Sequence, residues 1–475
     1  MKITDNIMKW MLPISAFLLI FLIACSEDFP VNVESKEFVE LKSIKIINAG
    51  ASGNEVLVGR VDENTKSIWF PRVEPATDFS NLKFEVELSD GAVLDKESYE
   101  VVLEEGQAEK DLIVKVINGK RFREYRAILR LNIPVWGADF KKPSIYDYTG
   151  NEIGNPVYPD FTSSVTRGSG FDGEHVLIVT RAAGGSHLLK ASDLRKYEIK
   201  PIKLNMENVG GGTFPVNVGD IAFGHTYIAN LSGGQVSPFR IYHWTDPSAP
   251  AEMIGDFNIA NIPGAGLRHG DNMSMNIDKS GNGYMFFGDN AQKFILRIKV
   301  TNFTTLSDPT VLTSIAGLTF VMSYNQVGNT EDYIMTGYEA PIYVVNESAS
   351  VKYTLDKAAI PLRTSDARIF EFNKERYLMG TTAARSGSDP TVFSVYDITK
   401  GDNTVEALTN FSTSDRKSVF EYSLMGPVNT APATRTSYHV TKGADGKDET
   451  LTVFTATNDA GFVLIDFPIK TLEGE

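Results

Sequence analysis

The residues best equipped for chemistry in this chain sit in short, glycine-flanked polar stretches between apolar runs. The most polar is Gly264-Ala265-Gly266-Leu267-Arg268-His269-Gly270-Asp271-Asn272, which offers Arg268, His269 and Asp271 within four positions. Arg181 and His187 bracket a second such stretch, Asn290 marks a third, and Tyr338 with Glu339 a fourth; Arg363 and Arg385 follow in two more. Forked cationic donors, amide groups, two imidazoles and a phenol together suit a hydrogen-bonding ligand such as a sugar. Surface loops are polar for other reasons, so each residue by itself is a weak signal. Catalytic signatures point nowhere. The six histidines, His175, His187, His225, His243, His269 and His439, form no HExxH pair. No Gly-x-Ser-x-Gly stands between a strand and a helix, so a serine-hydrolase elbow is lacking. Asp278-Lys279-Ser280-Gly281-Asn282-Gly283 begins like a calcium loop but lacks the closing glutamate, and reads as a β-turn. Acids are plentiful, so a carboxylate pair for glycoside cleavage is neither shown nor excluded by counting them. No cofactor and no metal site is expected.

These loops need a scaffold, and the runs between them supply one. From Pro134 onward, paired β-type runs recur: 175–180 with 187–190, 227–230 with 239–244, 284–288 with 294–300, 333–337 with 342–345, 377–381 with 392–398, and 451–457 with 462–467. Each pair is preceded by another short run, such as 218–223, 273–277 or 367–372, and most are followed by one, such as 251–259 or 406–411. Four short strands per unit at a spacing of about 45–75 residues predict a β-propeller of six blades. The last unit ends without a fourth strand, and the segment 133–148 is available to supply it and hide both open edges. A seventh blade is the alternative if 160–167 starts its own sheet. In such a ring, one face is built from the loops between second and third strands and between consecutive blades. The polar stretches fall in those loops. Trp244, in Tyr242-His243-Trp244-Thr245-Asp246, occurs in one unit only and reads as packing between blades.

The 475 residues exceed one ordinary hydrophobic core, and 42% hydrophobic with 22% charged residues indicates folded domains. Ahead of the repeats, about seven short alternating runs between Leu41 and Leu131, separated by clusters such as Ser89-Asp90-Gly91, predict an immunoglobulin-like β-sandwich. The expected organisation is a signal peptide over 1–24, a flexible tether over 25–40, the sandwich over 41–132 and the propeller over 133–475, all-β throughout. Net charge is −14, and one unit more negative once residues 1–24, with Lys2, Lys9 and Asp5, are removed. Such a surface repels nucleic acid. The single cysteine, Cys25, leaves no thiol for disulfides, zinc or catalysis elsewhere.

Lys2 and Lys9 precede an apolar run from Met11 to Ile23 that ends in Leu22-Ile23-Ala24-Cys25. The run is right for a signal core and short for a membrane span of roughly 20 residues. The ending resembles the lipobox of bacterial lipoproteins, which implies cleavage after Ala24 and lipidation of Cys25. Ser26-Glu27-Asp28 resembles the acidic tag of Bacteroidetes lipoproteins displayed on the cell surface. The anchor, sandwich and propeller together resemble Bacteroidetes surface lipoproteins often associated with glycan utilisation. That resemblance implies an outer-membrane, lipid-anchored, cell-surface protein that binds a glycan or partner protein without catalysis, in a nutrient-uptake complex. A propeller-type glycoside hydrolase or polysaccharide lyase is the alternative. The resemblance assigns no residue-level chemistry.

Overall fold

The computed structural model describes residues 37–471, apart from 105–106, 151–153, 160, 162–163, 235–236, 291–292, 316–320, 383–384, 386–390 and 425–428. The signal segment, Cys25 and the acidic tag lie outside the described residues. Among the described residues, no helix is long and apolar enough to cross a membrane. The chain divides into two compact units at Pro134/Val135.

The first unit carries β1 (Leu41–Ala49), β2 (Glu55–Asp62), β3 (Ser67–Trp69), β4 (Phe84–Leu88), β5 (Val93–Leu94), β6 (Glu109–Asn118) and β7 (Arg121–Arg130). They pair in the order β4-β1-β2-β3-β7-β6-β5, antiparallel except where β3 meets β7. Alternation along each strand selects one face for burial: Ile44 and Ile46 of β1, Val114 and Val116 of β6, and Tyr125, Ala127 and Leu129 of β7 share one core. The stretch 99–103, one of the alternating runs between Leu41 and Leu131, forms no strand; a bridge between Tyr99 and Leu82 and a hydrogen bond from Val101 N to the Phe79 carbonyl hold it. The end of the segment read as a tether also belongs to this unit. Val39 enters the core, and Ser89 Oγ donates to the Phe38 carbonyl and accepts from Glu40 N.

The second unit opens with β8 (Ser144–Asp147) and continues through six sheets. The first holds β9 (Thr166–Phe171), β10 (His175–Thr180), β11 (His187–Lys190) and β12 (Ile202–Lys203); the second β13 (Phe214–Ala222), β14 (His225–Leu231), β15 (Pro238–Trp244) and β16 (Glu252–Asn258). The third holds β17 (Ser274–Ile277), β18 (Gly283–Gly288) and β19 (Phe294–Thr301), with its outer position split between β20 (Thr305–Leu306) and β21 (Thr310–Thr313). The fourth holds β22 (Ser323–Gln326), β23 (Tyr333–Thr336), β24 (Tyr343–Val345) and β25 (Val351–Thr354). The fifth holds β26 (Thr364–Phe372), β27 (Glu375–Thr382), β28 (Thr391–Asp397) and β29 (Ser418–Leu424). The sixth pairs β30 (Thr434–Lys442), β31 (Asp448–Thr457) and β32 (Gly461–Pro468) with β8 on its outer edge. This is a six-bladed β-propeller closed by its own N-terminal strand, which removes the open edge of the last blade. Residues 160 and 162–163 lie outside the described residues; Thr166 and Arg167, at the end of the segment read as a possible seventh blade, belong to β9, the inner strand of the first blade.

The second strand of each blade is buried on both faces, and period-two alternation divides its side chains between the neighbouring blades. Val176 and Ile178 of β10 pack toward the sixth blade, whereas Leu177 and Val179 pack toward the second. Met285 and Phe287 of β18 face the second blade, and Phe286 between them faces the fourth. Trp244 lies between the first two blades among Leu177, Val179 and Ile228, its Nε1 donating to the Asn205 carbonyl. One local expectation fails. The run 406–411, read as a strand, lies within a helix, Thr404–Thr413. Asn403 caps it by accepting from Glu406 N, and Glu406 accepts from Asp402 N, a reciprocal cap that favours helix over strand. Ala407, Leu408 and Phe411 then form a helical apolar face that packs at the fourth and fifth blades.

Candidate functional site

The six inner strands, β9, β13, β17, β22, β26 and β30, converge on the propeller axis, where small and polar residues replace the aliphatics of the blade faces. The first two inner strands run so close that a Cβ on Gly168 would lie 2.6 Å from Gly219 N. Side chains are excluded there, and one guanidinium fills the space. Arg435 of β30 donates from Nε to the Ser169 carbonyl (3.3 Å), from Nη2 to the Gly219 carbonyl (3.1 Å) and from Nη1 to the Met273 carbonyl. It thereby ties the sixth blade to the first three. Opposite it, the Asp366 carboxylate accepts from Asn325 Nδ2 (2.9 Å) and Thr436 N (2.5 Å), joining the fourth, fifth and sixth blades. Asp220 is buried beside them, and burial pushes its carboxyl above the ordinary range, partly offset by Arg435 and Arg368.

Next to this plugged throat lies a cavity of about 370 Å³ whose lining includes Arg167, Arg181, Arg268, Asp271, Asn290 and Arg385. Arg167 and Asp271 also line a smaller void that reaches Arg435, so the cavity is the mouth of the channel. Three of the four arginines are steered by backbone, and the fourth by a carboxylate. Arg167, at the start of β9, is only 7% exposed; its Nη1 donates to the Ala431 carbonyl (2.6 Å), and its Nε has no partner among the described residues. Arg181, just beyond β10, donates from Nη2 to the Ser164 carbonyl, with its guanidinium 4.0 Å from the Phe214 ring centre. Arg385 donates from Nε to the Thr430 carbonyl (2.9 Å), and its backbone N donates to Tyr338 Oη (3.1 Å). Arg268 pairs with Asp271 at 2.8 Å. Burial pushes the Arg167 pKa down, Asp271 pulls it up, and the charges of Arg181 and Arg268 push it down further.

Of the loop residues singled out in the sequence, Arg181, Arg268, Asp271, Asn290 and Arg385 line this cavity, and Tyr338 supports Arg385. The rest are elsewhere. His187 is buried, held by Tyr158 Oη and the Gly185 carbonyl. His269 is fully buried, with Nδ1 at the Phe287 carbonyl (3.2 Å), and burial pushes its pKa down to about 4. Its backbone exchanges hydrogen bonds with Ser232, so it pins a loop. Glu339 and Arg363 pair at 3.1 Å and line a separate groove with Ile360, Pro361 and Leu362. Arg167, Phe214, Asn217 and Thr430 were not anticipated. The available signal for Arg167 was its place in Thr166-Arg167-Gly168-Ser169-Gly170, an arginine amid small residues that an axial strand requires. Among the described residues, no cluster of three or more potential metal ligands occurs.

The chain belongs to the family described as domain of unknown function (DUF4623), whose profile matches residues 27–470. A solved DUF4623 family protein from Bacteroides eggerthii is 40% identical over 92% of this chain and 100% of its own, with a TM-score of 0.84. Weaker likenesses include a subtype N10 neuraminidase-like protein of A/little yellow-shouldered bat/Guatemala/060/2010 (10% identity, 70% of this chain and 100% of that one, TM-score 0.38). Another is an endo-arabinase from Bacteroides thetaiotaomicron (13% identity, 67% and 100% coverage, TM-score 0.34). No curated protein matches the chain.

Proposed function

We propose that this chain is a lipid-anchored surface protein that captures a glycan, without cleaving it, in the mouth of its propeller. The observation that carries the reading is the cavity itself: concave, lined by arginine forks and Asn290, and closed behind by Arg435. Its size suits a sugar unit, and its donors are oriented in advance by backbone carbonyls, which lowers the ordering cost of binding. Glycoside hydrolysis needs two carboxyl groups across the scissile bond. Among the described lining residues, Asp271 is the one carboxylate, and Arg268 already holds it. The arrangement supports binding rather than acid–base cleavage.

The remaining parts fit that role. Cys25 is the acceptor of the lipid, with Ala24 before the cleavage point, and the first unit is an immunoglobulin-like spacer that carries the propeller on the outer membrane. Each buried methylene of an acyl chain contributes about 0.8 kcal/mol, so several chains on one residue hold the protein firmly. The test of capture is calorimetric titration of the full chain with a panel of host and plant oligosaccharides. Binding without product release supports the reading; no binding across the panel, or release of shorter products, overturns it. The anchor is tested by Cys25→Ala, which should abolish the acylated mass and membrane partition of the mature form.

A further inference from the structure

We infer that Phe214 is a stacking platform for the captured sugar, and that the sugar is a pyranose laid with one C–H face on the phenyl ring; this rests on the proposed glycan capture. Among the described residues that line the cavity, Phe214 is the aromatic one, and it is 36% exposed. A phenyl ring has no hydrogen-bonding group, so its place among guanidiniums and amides calls for a ligand with an apolar side. The Arg181 guanidinium stands 4.0 Å from the ring centre, against one face, and its Nη2 is held by the Ser164 carbonyl. The plane of the ring is thereby set, and stacking on a ligand falls to the opposite face.

The backbone is shaped to hold this ring still. β13 pairs Phe214 with Leu231 and Val218 with Ala229, so four steps along β13 span two along β14 and the strand arches. Val216, inside the arch, packs in the core between the first two blades, and Asn217 Nδ2 donates to the Gly270 carbonyl (2.6 Å). Just before the ring, Thr213 N donates to the Leu231 carbonyl (2.8 Å). Gly212, at φ +75°, permits that approach, since a Cβ there would lie 2.4 Å from the same oxygen. An exposed side chain on a pinned backbone loses little freedom when a ligand covers it. A pyranose suits such a surface. Its ring hydrogens gather on one face, and the hydroxyls around its edge reach the polar groups of the mouth. A furanose, smaller and puckered, offers no comparable flat face.

The test titrates the full-length lipidated protein, in detergent, with three neutral tetramers: a galactan and a cellulose fragment, both of pyranoses, and an arabinan fragment of furanoses. At least one pyranose tetramer should bind about tenfold tighter than the arabinan one. Phe214→Leu keeps apolar bulk but removes the flat face, and should weaken that tetramer by roughly tenfold. Phe214→Tyr keeps the ring and should bind within about twofold of the native protein. Urea unfolding of each variant checks that the fold is intact. Arabinan bound as tightly as both pyranose tetramers, or binding unchanged in Phe214→Leu, overturns the inference and leaves glycan capture standing. A loss in Phe214→Tyr as large as in Phe214→Leu overturns it too, because the flat ring would then not be what the ligand reads. If none of the three tetramers binds, the inference falls, and capture falls with it only if the wider oligosaccharide panel also fails.

Discussion

The two units of this chain spend their polar residues in opposite ways. In the first unit, the buried side chains are aliphatic and aromatic, and the buried polar residues among those described are Thr77 and Ser89. Its charges stay outside in pairs such as Lys45–Glu85 and Arg126–Asp111. The propeller instead buries Arg167, Asp220, His269, Asp271, Asp366 and Arg435 around its axis. Burying such groups costs stability unless each is partnered. The first unit is therefore held by an apolar core, and the propeller carries buried charge around its axis.

That contrast can be broken by experiment. The largest effect is expected from Arg435→Met, which keeps the volume but strands the carbonyls of Ser169, Gly219 and Met273. A loss of about 4 kcal/mol in propeller stability is expected, read by Trp244 fluorescence in urea. A change below about 1 kcal/mol would mean that the axis behaves like a surface. In the first unit the comparable damage needs an aliphatic: Ile46→Ala, fully buried, should cost about 3 kcal/mol, read through Trp69.

Acid should separate the units as well. All six histidines lie in the propeller. His269 titrates near 4 when folded, against 6.5 for a free imidazole, so the unfolded chain takes up a proton first. Its stabilising contribution is complete above pH 6.5 and declines as pH falls toward 4, by roughly 3 kcal/mol in all. His225 and His243 are shifted down too and act in the same direction. The first unit should hold until the carboxylate range, where Glu63, kept low by Lys66, Tyr125 and Arg123 against the opposing effect of burial, takes up a proton. Unfolding curves at pH 7, 5.5 and 4.5 check this, and His269→Asn should flatten the propeller's dependence. The smallest effect is Lys45→Ala on the exposed β1–β4 pair, expected within about 0.5 kcal/mol and reduced by salt. A larger loss there would erase the distinction between the exposed pairs of the first unit and the buried charges of the propeller axis.

Much of the fold was legible because strands write their burial into a period of two. The paired runs at 175–190 or 451–467 are buried on both sides and bounded by turns, which leaves little else for them to be. The helix at Thr404–Thr413 was misread because Ala407, Leu408 and Phe411 also pass for a short strand until the Asn403 cap is recognised. Loop positions such as Arg181, Arg268 and Arg385 were legible as polar. Their convergence was not, because it depends on blades far apart in sequence meeting at one axis. His187 and His269 carry the same loop signature and are buried instead, since exposure is decided by what the rest of the ring packs over them.

By itself the sequence determined the all-β character, the repeat, the ring-closing segment and the acidic balance of the chain, all of which are local patterns or sums. Tertiary structure alone decided which arginine is enclosed by backbone carbonyls and which lines a cavity. Arg435 and Arg167 each stand near the start of an inner strand, yet one meets three carbonyls and the other meets a cavity. The side chain is the same in both; the acceptors around it come from other blades, and only closure of the ring brings them within reach.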